Sequence, residues 1–293
     1  MTEQLAQNIG PDGIDIAYET FGDPANPPLL LIMGIASQMV HWPMGFIDAL
    51  LQHGLYVIRF DNRDSGLSSH FHDAATPDLT AALQGDLSTA SYTLSDMAAD
   101  CVALLDHLGL EAAHVAGASM GGFIAQTLAI EYPDRVLSLI SMMSSTGNAA
   151  VGQADPEVWA SIGAVAPTNR EEVIEQAVLA FEIAGSPGYE KDMNAIRERA
   201  GLAYDRCYDP LGVMRQSLAT IASGDHTAAL ARLSVPTLVI HGEADRLCNI
   251  SGGRATAAAI PGARLQTYPG MGHDLPRALW PEFATRIVEL VRR

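Results

Sequence analysis

The stretch GASMGG at 117–122 sets a serine among glycines, and its flanks are those a nucleophile needs. The preceding AHVAG reads as a buried strand, and the following FIAQTLAIEYP reads as a helix that stops near Pro133. A sharp strand-to-helix turn strains the backbone at Ser119 and points its hydroxyl away from the sheet. Gly117 and Gly121 fit this turn because a Cβ at either place would collide with the neighbouring strand or helix. The helix that starts after Ser119 aims its N-terminal amides and positive dipole end at the site. The competing reading is a purely structural glycine turn, which the strand and helix flanks disfavour.

A serine hydroxyl attacks poorly until a base takes its proton. Of the nine histidines, His273 stands apart: it lies in PGMGHDLP (269–276), a Gly/Pro loop between a late alternating run and the final helix. That loop falls at the C-terminal edge of the strands, where open α/β sheets bind ligands. Its neighbour Asp274 is expected to be solvated. The imidazole needs an acid to hold its tautomer, and HGEADRLCN (241–249) offers Asp245 and Glu243. Asp245 is preferred, because Glu243 comes earlier in the turn and is one methylene longer. The order Ser119, Asp245, His273 is the chain order of triads on this type of sheet. Two preorganised N–H donors must also meet the developing oxyanion. Met120, next to the nucleophile, supplies one. MGIAS (33–37) supplies the other, with the Ile35 amide the best candidate and Gly34 letting that backbone come close. Ser37 is either a polar contact for substrate or an ordinary loop serine. A histidine base with an ordinary pKa of about 6.5 implies activity that falls on acidification.

The positioning elements are legible as alternating strands and helices. IDIAYETFG (14–22) alternates, while PLLLIM (28–33), LYVIRF (55–60), AHVAG (113–117), RVLSLISMM (135–143) and VPTLVIHG (235–242) are apolar runs of strands covered on both faces. From 94 to 108 the apolar residues form one helical stripe, with Thr93 as N-cap and Gly109 as the stop. Trp280, Phe283, Ala284, Ile287, Val288 and Val291 repeat the pattern in the last helix. This alternation predicts an α/β fold, a mostly parallel sheet with helices on both faces. Between 147 and 225 only helical stretches occur, which predicts a helical cap inserted into a core of 1–146 and 226–293.

With 34 acidic and 17 basic residues, the net charge of −17 argues against nucleic acid or an anionic membrane surface as partner. Three widely spaced cysteines form no CxxC and suggest neither a disulfide framework nor structural zinc. The N-terminal residues lack a signal-peptide pattern, and LLLIM is too short to cross a bilayer, so a cytoplasmic location is expected. SHFHD (69–73) has a metal-pair spacing without a third ligand motif, and no G-x-G-x-x-G follows a strand. Met33, Met120, Met143 and Met271 lie beside the site loops. They are either core filling or an adaptable apolar pocket, and Met143 is taken with Gly34 and Ser37 as a substrate contact.

Together these motifs resemble the α/β-hydrolase family over nearly the whole chain. FDNRDSGLSS (60–69) is similar to the D-x-R-x-x-G-x-S turn after that family's fourth strand. Met33-Gly34 and Arg63-Asp64, in place of the usual His-Gly and Arg-Gly, resemble the serine esterase branch that contains aclacinomycin methylesterase. The resemblance implies an eight-stranded sheet, a helical cap, no metal and no organic cofactor. The triad predicts a serine hydrolase that cleaves carboxylic esters through an acyl-enzyme. The expected substrate is a small-molecule ester with an apolar acyl or aryl group, and its identity does not carry over with the resemblance. A lactonase, amidase or carbon–carbon bond hydrolase would use the same triad. A non-catalytic receptor on this fold would have no need of His273 and Asp245 together. Oligomeric state is left open, a homo-oligomer included.

Overall fold

The computed structural model describes residues 3–158 and 167–293. Eight strands run β1 Gln4–Ile9, β2 Ile14–Phe21, β3 Pro28–Ile32, β4 Tyr56–Phe60, β5 Ala113–Ala118, β6 Val136–Met142, β7 Thr237–Gly242 and β8 Arg264–Tyr268. They form one sheet in the order β1-β2-β4-β3-β5-β6-β7-β8. β2 is antiparallel to both of its neighbours, and every pair from β4 to β8 is parallel. Sequence patterning is silent on β1, whose side chains are exposed or half-buried except for Ala6, so it carries no apolar run.

The apolar runs are buried on both faces as their composition demands. Leu30 and Ile32 of β3 join one cluster, under the helices Leu94–His107 and Met120–Glu131. Leu29 and Leu31 join the other, under Met44–Leu51 and Trp280–Val291. Each such residue contributes roughly 1.5–3 kcal/mol over leaving it exposed. Thr93 caps its helix as expected: the Asp96 carboxylate accepts from the Thr93 amide at 2.7 Å and hydroxyl at 2.9 Å. Gly109 follows that helix with φ of 69°, the left-handed turn that ends it.

The strand order reverses at β3: the chain passes to β4 on one side and then to β5 on the other. A crevice therefore opens at the carboxyl ends of β3 and β5. Ile32 pairs with Gly117 across that junction, so Gly34 and Ser119, each two residues on, arrive side by side.

Between β6 and β7 lie the helices Arg170–Ala184, Met193–Arg206 and Pro210–Ser223. Residues 159–166 of the expected insertion lie outside the described residues. Each helix starts at a side chain that accepts a first-turn amide, Asn169, Asp192 and Asp209 respectively. Two ion pairs bolt the segment to the loop after β4. Arg206 Nη2 lies 2.6 Å from Asp61, and Arg215 forks onto both Asp64 oxygens at 2.8 Å. The Arg215 and Asp64 side chains are 2% and 0% exposed. Asp64 holds φ of 60°, a left-handed conformation that an aspartate adopts only where other contacts fix it. Here Arg215, the Tyr92 hydroxyl at 2.8 Å and the Phe71 amide at 2.9 Å all bind its carboxylate.

Arg215→Met leaves the Asp64 carboxylate buried without its cation, and the expected loss is about 3–5 kcal/mol. Urea unfolding measures it, and an unchanged midpoint would show that the pair does not hold the insertion down.

Candidate active site

Ser119 follows β5 with φ of 56° and ψ of −121°, a strained conformation for a side chain with a Cβ. The turn is held from both sides: its amide donates to Met142 O at 2.9 Å, and its carbonyl accepts from Gly122 N at 2.9 Å. The glycines are steric necessities, as the sequence suggested. A Cβ on Gly117 would run into the Gly121 carbonyl, and one on Gly121 would run into the Ile32 carbonyl. A Cβ on Gly34 would stand 3.0 Å from the Ser119 Cβ. The loop after β3 therefore lies directly against the serine. Ser119 is half-buried, and among the described residues its hydroxyl makes no hydrogen bond.

His273 Nδ1 lies 2.7 Å from Asp245 Oδ2. Asp245 is 4% exposed, and its other oxygen accepts from the amides of Leu247 at 2.9 Å and Cys248 at 2.8 Å. A carboxylate bonded through both oxygens is held in place, and by accepting from Nδ1 it assigns the imidazole proton to that nitrogen. The opposite nitrogen, Nε2, is then free to accept a proton. Burial alone would lower the His273 pKa, but the charge and hydrogen bond of Asp245, with the charge of Asp274, hold it above its ordinary value. A second imidazole, His241, stands 3.6 Å from Asp245 and donates from Nε2 to Cys248 O at 2.7 Å. Burial pushes its pKa below the ordinary histidine value. Glu243, the alternative acid, is exposed and bonded to the Thr267 hydroxyl at 2.7 Å.

The residues expected at the oxyanion hole sit where the fold crowds the serine. Met120 is the first residue of its helix, so its amide has no intrahelical acceptor. Ile35 is half-buried in the loop beside Gly34, packed against the core. Ser37 is engaged through its carbonyl, which accepts from Ser65 Oγ at 2.9 Å. Met143 sits beyond β6 with φ of 49° and is 3% exposed, packed in the core with Met33 and Met271. The bland account of these methionines, core filling, is the one their burial matches.

One expectation needs correction. Asp274 is not a solvated neighbour: its carboxylate accepts from the Ser186 amide at 2.7 Å and from the Ser186 hydroxyl. Ser186 Oγ in turn accepts from Gly272 N at 2.8 Å, and His273 N donates to Ala184 O at 2.8 Å. The histidine loop is thus sewn to the insertion, which no local pattern around residue 274 announces. The histidines of SHFHD, whose spacing came without a third ligand motif in sequence, sit with Asp209 in a cluster. His70 faces Asp209 at 2.8 Å through Nδ1 and Gly66 O at 3.0 Å through Nε2, and Arg215 stands 3.1 Å from the same Asp209 oxygen. Those bonds tie the loop at 66–72 to the insertion.

Sequence reasoning also missed two amides. Gln38 Nε2 donates to the carbonyls of Ala203 at 2.7 Å and Cys207 at 2.9 Å. Gln216 is wholly buried between the loops after β3 and β4. A signal existed: Arg215 and Gln216 share a helix face with Gly212 and Ala219, all buried.

The alpha/beta hydrolase fold family matches residues 27–276. Rhodomycin D methylesterase from Streptomyces peucetius is 31% identical over 301 residues, covering 94% of this chain and 94% of that protein. A 3-oxoadipate enol-lactonase from Acinetobacter baylyi is 28% identical, covering 82% of this chain and 80% of its own length. Among solved structures, an esterase from Exiguobacterium antarcticum superposes with a TM-score of 0.76 over the full length of both chains, at 21% identity. The match to the family extends over most of the sequence and agrees with the strand order and the crowded turn at Ser119: the chain belongs to the α/β-hydrolase fold family.

Proposed function

We propose that the protein is a carboxylesterase-type serine hydrolase that cleaves a small-molecule ester through an acyl-enzyme. The observation that carries this reading is the 2.7 Å bond between His273 Nδ1 and a fully satisfied Asp245, which leaves Nε2 as a base. Ser119 Oγ attacks the ester carbonyl while His273 Nε2 takes its proton. The oxyanion that forms is met by the amides of Met120 and Ile35. Collapse expels the alkoxide, which receives that proton from His273. Water, activated by the same nitrogen, then attacks the acyl-enzyme and restores Ser119. Asp245 holds the imidazole through Nδ1 and stabilises the imidazolium.

The 147–225 segment serves as the cap of a core formed by 1–146 and 226–293, and shields the acyl-enzyme from bulk water. Gly34 and Ser37, in the loop that lies against Ser119, would face the substrate, whereas Met143, buried in the core, would only back that wall. The methylesterase relative supports an ester with a small alcohol as leaving group. The enol-lactonase relative supports a second reading, in which the ester is cyclic and the leaving alkoxide stays attached.

Ser119→Ala is expected to lower kcat on a short-chain aryl ester by at least about a thousandfold with folding intact. Retention of most activity would refute the assignment of the nucleophile. The pH dependence has a definite sign. The active form is neutral His273, so activity is present at high pH and is lost as pH falls through a raised pKa. The acid limb of kcat/KM is therefore expected above about 6.5. Asp245→Asn should cut kcat by roughly ten-thousandfold and move the residual limb down. A limb unmoved by that substitution would mean the titrating group is not the Asp245-bound imidazole.

A further inference from the structure

The insertion holds a polar side chain that the reaction scheme above does not use. Gln216, in the helix Pro210–Ser223, is fully buried. Its Oε1 accepts from the Ala36 amide at 3.3 Å, and its Nε2 donates to Arg63 O at 2.9 Å. Its neighbour Arg215 is locked to Asp64, so the amide is aimed by a rigid fork one residue away.

The geometry of the loop after β3 gives this pair of bonds a meaning. Ala36 holds φ of 57°, a left-handed conformation in which the alanine Cβ crowds the following carbonyl oxygen and which needs an outside restraint. The peptide between Ile35 and Ala36 is fixed by Gln216 Oε1, through the Ala36 N–H. The peptide between Met33 and Gly34 is fixed by Asn62 Nδ2, which donates to Met33 O at 2.9 Å. Only the peptide between them, which carries the Ile35 N–H, is spanned rather than bound. Among the described residues that N–H has no acceptor. It is therefore clamped on both sides and left open at the serine.

We propose that Gln216 is a positioning residue: it reaches from the insertion to hold the Ile35 N–H in place for the oxyanion. The inference rests on the ester-hydrolase reading and on Ile35 as the second donor. The insertion then acts as part of the catalytic apparatus, since lifting its Pro210–Ser223 helix would release the 35–36 peptide. A preorganised donor works only if its orientation is set before the charge develops, and removing one such donor outright costs about a hundred- to a thousandfold in kcat. Misorienting one costs less.

The test compares wild type with Gln216→Met, which keeps the length and loses both hydrogen bonds. Rates per active site, titrated with a serine-directed phosphonate, are measured on a neutral aryl ester. Binding is measured for a boronic acid, which forms a tetrahedral adduct, and for an ether isostere of the substrate. The expected result is a kcat lower by about ten- to a hundredfold with KM little changed. Boronate affinity should fall by the same factor, ether affinity should hold, and the acid limb should stay where it was. A purely structural role would lower Tm and leave kcat per titrated site intact, which would overturn the proposal. A loss confined to KM would also overturn it. Should Gln216→Met reduce soluble yield, Gln216→Asn, too short to reach both groups, must show the same split. Wild-type protein that neither turns over esters nor binds the boronate would defeat the ester-hydrolase reading itself, whereas active wild type with an unaffected variant defeats only the role of Gln216.

Discussion

The structure turns on how closely two backbones approach at the centre of the sheet. β3 and β5 pair in register, and the segments beyond them converge until no side-chain atom fits between Gly121 and the Ile32 carbonyl. Because of that contact Ser119 is forced into a left-handed turn and the loop at 33–37 lies against it. A larger residue at Gly117 or Gly121 would push the helix off the strand and move the hydroxyl with it. The strain at Ser119 is offset by the buried sheet beneath, where the strands on either side are sealed by two apolar layers.

Around that contact, the loops after β3, β4, β7 and β8 are fixed mainly by polar bonds. Asp61 binds the amides of Met39 at 2.7 Å and Leu67 at 3.0 Å, and Asn62 and Ser65 bind the carbonyls of Met33 and Ser37. The turn at 60–69 is thus a brace for the loop after β3. The insertion closes the brace from above through Arg206, Arg215 and Gln216, and grips the histidine loop through Ala184 and Ser186. Such an insertion is anchored at both ends of the crevice. Charged side chains that are fully buried carry a large desolvation cost, and here it is met by complete pairing. No described helix is long and apolar enough to cross a membrane.

Much of this was legible in the sequence because the relevant signals are local. Apolar runs of five or six residues marked the parallel strands, and a Gly-Ser-Gly turn between strand and helix marked Ser119. His273 and Asp245, singled out by their place after late strands, lie 2.7 Å apart. What escaped was long-range. β1 is an edge strand with little to bury, so composition is silent about it. Asp274 and Ser186 are 88 residues apart, and Ala36 and Gln216 are 180 apart, so neither partner carries a mark of the other. Asp64, where the resemblance has glycine more often, was visible as an oddity. Its reason, an ion pair with Arg215 across 151 residues, appears only in three dimensions.

The central claim is that one serine hydroxyl, activated by the Asp245-bound imidazole, does the chemistry. The most direct measurement is peptide mapping by mass spectrometry after inactivation with a fluorophosphonate. A single adduct on the peptide bearing Ser119, formed in step with loss of activity, is the expected result. An adduct on any other residue, or full inactivation with Ser119 unmodified, would contradict it.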